Sequence, residues 1–175
     1  MRTFLYNGEK KYSYEMLIES INQHQEYYPL YKTQDIFSYF ENLIKAIVTN
    51  RPLVLLDSDL NLSEMTGVDE LMVNKAEKLT NYHFDDMDAI IASLQQSNSE
   101  ITIFTSGTTG QPKKVVHSIG TLTRLVRLGD KYKEQVWAFA YNPTHMAGLQ
   151  VFFQAFENQN TLVNVFNMQR GEVLR

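Results

Sequence analysis

The residues best suited to chemistry in this 175-residue sequence lie between Thr105 and Lys113, which read TSGTTGQPK. Gly107 and Gly110 have no Cβ, so the backbone there can take positive φ and its N–H groups can approach an anion closely. Thr105, Ser106, Thr108 and Thr109 add hydroxyl donors around the same turn, and Lys113 adds a cation on a flexible stem. Pro112 stiffens the exit. Donors gathered in this way suit the non-bridging oxygens of a phosphate. A rival reading is a flexible serine, threonine and glycine surface loop, although such loops seldom fix proline and lysine after the glycines. The P-loop of nucleotide hydrolases fails on spacing: it separates its glycines by four residues, whereas two separate Gly107 from Gly110 and Gln111 comes next.

Other reactive side chains are sparse. The absence of cysteine excludes disulfides, thiolate metal sites and cysteine nucleophiles. Histidines at 24, 83, 117 and 145 have no spacing that puts two metal ligands on one helix face. His145 reads either as the border of a ligand site or as a loop residue capping the next helix. His117 reads as structural or solvent-facing, because nothing near it suggests a base partner. Asp57 and Asp59 flank a strand end, where turn chemistry accounts for them. Tyr27, Tyr28 and Tyr31 read as packing groups, and Lys10 and Lys11 as a solvated turn.

These residues need a scaffold, and the apolar pattern supplies one. Ser13 precedes Tyr14, Leu17, Ile18 and Ile21 at helical spacing, and Asp35 precedes a wider stripe of Ile36, Phe37, Phe40, Leu43, Ile44 and Ile47 that ends near Asn50 and Pro52. The run PLVLL at 52–56 suits a strand covered on both faces. Residues 57–85 read as a long connection or a broken helix. After Asp86 come a helix with Met87, Ile90, Ile91 and Leu94, and the strand ITIFT. Beyond the glycine loop follow the strand KVVH, a helix carrying Ile119, Leu122, Leu125 and Val126, the strand VWAFA, a helix with Leu149, Phe152, Phe153 and Phe156, and the strand TLVNVF. Such alternation predicts an α/β fold, a layered sheet with helices on its faces.

With 43% hydrophobic and 21% charged residues the chain has the composition of a globular protein, and residues 1–175 are expected to form a single unit. A net charge of −4 offers no broad basic field for nucleic acid. No apolar run is long enough for a membrane span, and the opening MRTFLYNGEKKY has no signal-peptide core, so a cytoplasmic location is expected.

TSGTTGQPK resembles the phosphate-binding signature of the adenylate-forming superfamily, which includes acyl-CoA synthetases, peptide-synthetase adenylation domains and firefly luciferase. NPTHMAGLQVFFQAF, followed by TLVNV, is similar to the family's next segment, a proline, a histidine, a glycine and a helix lining the carboxylate pocket. YSYEMLIESIN resembles the Thr-Tyr-x-Glu-Leu helix near the family's N-terminus. The resemblance implies the leading part of the large N-terminal domain of a ligase that joins a small carboxylic acid to AMP and then to coenzyme A or a carrier-protein thiol. It also implies that Thr105, Ser106, Gly107, Thr108, Thr109, Gly110 and Lys113 hold the β and γ phosphates of ATP, and that a Thr108 or Thr109 hydroxyl approaches Mg2+. His145 and Gly148 would border the acid, with Lys113 and His145 as the residues acting in the reaction. Two departures stand out: Lys114 replaces the usual glycine, so it either crowds the backbone or points to solvent. The later family elements, a Thr-Glu strand end, a ribose-binding aspartate and a C-terminal lysine domain, do not occur in these residues. A partial sheet of this kind would expose edges that favour self-association.

Overall fold

A computed structural model describes residues 2–59, 61–64, 67–80, 82–105 and 112–168. Two four-stranded sheets organise it, with helices packed on their faces. The first contains β1 (Thr3–Asn7), β2 (Lys10–Ser13), β9 (Val136–Phe139) and β10 (Thr161–Asn164), in the order β2-β1-β10-β9. The second contains β4 (Leu30–Lys32), β5 (Leu53–Leu56), β7 (Glu100–Thr105) and β8 (Lys113–Ser118), in that order. In each sheet three strands run parallel, and one hairpin partner at an edge, β2 or β8, is antiparallel. A two-stranded ribbon pairs β3 (Glu26–Tyr27) with β6 (Glu77–Lys78).

The helices α1 (Tyr14–Gln23), α2 (Ile36–Val48) and α3 (Met87–Gln95) start where the capping residues predict. Ser13 accepts from the Met16 N–H at 3.2 Å, Asp35 from Ser38 at 2.7 Å and Asp86 from Ala89 at 2.8 Å. Ten of the thirteen residues of α2 are buried, more than one amphipathic stripe requires, which makes it the central helix. Its Phe40 stacks on Phe152 of α5 (Met146–Glu157) at 4.5 Å and meets Phe4 of β1 and Phe139 of β9 edge-on. Fully burying one such ring contributes about 2–3 kcal/mol. On the other side, the Ser99 hydroxyl just before β7 donates to Ala46 O at 3.0 Å, and Asn42 exchanges two hydrogen bonds with the backbone of Tyr28. The central helix therefore fixes the distance between the two sheets.

Two expectations change. Lys10 and Lys11 lie in strand β2, because the reversal occurs one step earlier at Gly8, whose φ is +60°. Helix α4 spans only Ile119–Thr123, so Leu125 and Val126 fall beyond it. There the Thr123 hydroxyl bonds back to Ile119 O and the Val126 N–H turns to Thr123 O, closing the helix early. Of the two readings for residues 57–85, the described residues give the long connection, and among them are two short 3-10 turns and β6.

Candidate functional site

The signature segment is the connection of a hairpin. β7 and β8 pair from Glu100↔Ser118 to Thr105↔Lys113, so Thr105 and Lys113 face each other at its open end. Both are exposed, and Thr105 Oγ1 lies 3.5 Å from Lys113 O. Ser106, Gly107, Thr108, Thr109 and Gly110 lie outside the described residues, and with them the two hydroxyls expected near Mg2+. Among the described residues no cluster of three or more histidines and carboxylates is placed to hold a metal ion. Lys114 is paired with Phe104 and is exposed, so of its two expected options it takes the one toward solvent.

His145 lies elsewhere, at the N-cap position of α5, and its side chain makes no capping hydrogen bond. Its ring is 55% exposed, with Nε2 3.7 Å from Asp57 Oδ2. Gly148 is buried one turn further on, where an added Cβ would stand 2.2 Å from the carbonyl oxygen of Asn142. The helix therefore meets the preceding turn at backbone contact distance, and only glycine fits there. The Tyr39 hydroxyl donates to Pro143 O of the same turn at 2.6 Å, and burial pushes its phenol well above the ordinary tyrosine range.

A cavity of about 340 Å³ opens beside this turn. Its walls come from Thr33 and Asp35 after β4, Asp57 after β5, Asn142 and Thr144 after β9, and Asn164 at the end of β10. Every one of these follows or ends a parallel strand at its carboxyl end, the place where open α/β sheets bind ligands. Thr105 closes β7 at the corresponding end of its own strand. The expected pair of groups is thus distributed over two sheets that present the same ends. Sequence reasoning missed Asp57 and Tyr39 as site residues, since turn formation and packing accounted for each. His117 sits half-buried in β8 opposite Ile101, in keeping with a structural position.

A family model for AMP-binding enzymes matches residues 42–167. The chain belongs to this family. The match takes in the second half of α2, the β7–β8 hairpin, the Asn142–His145 turn and α5. The fold is that of the N-terminal part of adenylate-forming ligase structures. It is similar to O-succinylbenzoate coenzyme A synthetase from Bacillus subtilis in complex with AMP, at 17% identity and a TM-score of 0.66, covering 99% of this chain and 54% of that one. The same Bacillus subtilis enzyme in complex with ATP and magnesium ion gives 14% identity and a TM-score of 0.63, with 99% and 56% covered. The N-terminal subdomain of NpsA from Klebsiella oxytoca gives 14% identity and 0.66, with 99% and 53% covered. Likeness at these identities establishes the shared fold, and the chain spans about half the length of these structures. A comparison with curated protein sequences returns no match. No helix among the described residues is long and apolar enough to cross a membrane.

Proposed function

We propose that the chain forms, as a single unit, the phosphate-binding part of an AMP-forming ligase acting on a small carboxylic acid in the cytoplasm. In the reaction a carboxylate oxygen bonds to the α-phosphorus of ATP while the bond from that phosphorus to the bridging oxygen breaks, giving acyl-AMP and pyrophosphate. A thiol of coenzyme A or of a carrier protein then adds to the acyl carbon, and AMP leaves. Lys113 and the hydroxyls and N–H groups of Thr105–Gly110 bind the β and γ phosphates and stabilise the charge that collects on departing pyrophosphate. A Thr108 or Thr109 hydroxyl would help to hold Mg2+, which would supply positive charge against the phosphates. His145 and Gly148 border the acid.

The observation that carries the reading is the pairing of Thr105 with Lys113 at the mouth of the β7–β8 hairpin, within the segment matched by the family model. That pairing sets two exposed residues, one bearing a hydroxyl and one an ammonium, opposite each other at the mouth of the hairpin, and both groups are donors suited to phosphate oxygens. A second reading is a non-catalytic binding or interaction module.

Calorimetric titration of pyrophosphate and Mg·ATP into the purified chain tests the proposal. Weak binding is expected, reduced about tenfold or more in K113A, since a charge-assisted hydrogen bond contributes roughly 1.5–3 kcal/mol. Absence of polyphosphate binding by the wild-type chain overturns the phosphate site. Carboxylate-dependent pyrophosphate exchange by these 175 residues overturns the binding-module reading.

A further inference from the structure

Asp57 is bonded to a segment far from it in sequence as well as to its own turn. Its Oδ1 accepts the N–H of Asp59 at 3.1 Å, and its Oδ2 accepts from Asn142 Nδ2, a residue 85 positions away. The other end of the Asn142 side chain is occupied as well: Oδ1 accepts from Thr144 N at 2.9 Å and from Thr144 Oγ1 at 2.8 Å. The amide therefore has a single workable orientation, with its donor toward the carboxylate. Beyond Asn142, Pro143 O is held by Tyr39, and Asn142 O accepts the His145 N–H at 3.1 Å while lying against Gly148. Asp57 is mostly shielded, at 16% side-chain exposure, and its Oδ2 also faces the His145 ring at 3.7 Å. That separation is too long for a direct hydrogen bond, so any hold on the ring runs mainly through the turn.

We propose that Asp57 is a positioning residue: by binding Asn142 it locks the Asn142–His145 turn of one sheet to the end of β5 in the other, and so sets the orientation of the His145 side chain. The importance of that orientation rests on the reading that His145 borders the acid. A turn-forming aspartate needs only Oδ1, whereas here the second oxygen joins two sheets. The rule is directional, because the strand end must accept and the turn must donate. In D57N, with Oδ1 kept on Asp59, two NH2 groups would meet and Asn142 would have to give up Thr144. In the exchanged pair D57N/N142D the donor and acceptor simply trade sides.

The test is the χ1 rotamer distribution of His145, from three-bond couplings to Cγ in labelled full chain, read beside the melting temperature. Wild type is expected to show one dominant rotamer, D57N a mixture with a lower melting temperature, and D57N/N142D a return of both. N142A, which removes the donor without creating a clash, should also release the ring and serves if D57N does not fold. A ring that is averaged in wild type, or that stays fixed in D57N or N142A, overturns the proposal. A purely structural role would lower the melting temperature and leave the rotamer unchanged. These couplings are measured without nucleotide, so a failed Mg·ATP titration would refute the ligase reading and leave this result standing.

Discussion

Replacing Gly148 with alanine sets two effects of opposite sign against each other. In a helix interior alanine is favoured over glycine by about 1 kcal/mol, so propensity alone predicts that G148A raises stability. Against this, the new Cβ would stand 2.2 Å from Asn142 O, 2.9 Å from Asn142 C and 3.1 Å from Pro143 Cα. All three are backbone atoms, so no flexible side chain can move aside. Restoring ordinary contact requires the turn to retreat by roughly 1 Å, and that turn is bonded to Tyr39, to Asp57 and to the His145 N–H. Overpacking of this type costs about 3 kcal/mol. The net expectation is destabilisation by about 2 kcal/mol, or a fall in melting temperature of roughly 4–8 °C for a chain of this size. Urea and thermal unfolding followed by circular dichroism measure it directly. An unchanged or higher melting temperature would refute the claim that backbone contact at this helix start demands glycine.

Substitutions at two further carboxylates probe buried charge. Glu41 and Lys45 of α2 form a 2.6 Å ion pair that is almost wholly buried, and His24 bonds to the same carboxylate oxygen at 3.0 Å. Burial alone would raise the Glu41 carboxyl, but the bond and charge of Lys45, helped by His24, bring it below the usual range. Its stabilisation is therefore present above the ordinary carboxylate pKa and is lost as pH falls through the lowered folded value. E41Q leaves the ammonium without its counter-ion and should cost about 3 kcal/mol or more in urea unfolding at neutral pH, while E41L/K45M should unfold near the wild-type midpoint. Glu157 is the reverse case: burial raises its carboxyl, Gln95 opposes that only in part, and Oε1 is buried without a hydrogen-bond partner. A raised folded pKa means that stability declines as pH climbs from the ordinary carboxylate value to the higher one. E157Q should remove that slope from a series of unfolding curves between mildly acid and neutral pH, and persistence of the slope would assign it to another group.

The helices were readable because their signals are local. Ser13, Asp35 and Asp86 each cap through the N–H three residues ahead, and the apolar stripes behind them recur at helical spacing. The β1–β2 hairpin was missed although Asn7–Gly8 between two short runs is a recognised reversal signal, because the neighbouring lysines mimic a solvated turn. In the site, the hairpin that bears TSGTTGQPK could be read from two adjacent strand patterns, and the segment of His145 and Gly148 from its likeness to a family motif. The joining of Asp57 to Asn142 could not. A contact across 85 residues depends on how two sheets settle around α2, and no periodicity in the chain records that distance.

The two ends of the first sheet are unlike. On the β2 side Lys10 and Lys11 are exposed, and solvated charge along an outer strand discourages any further strand from docking. On the β9 side, among the described residues, nothing equivalent stands guard: Val136 is 68% exposed and Ala138 is open as well. Among the described residues, charge therefore guards the β2 edge of this sheet, while the β9 edge presents small apolar side chains to solvent.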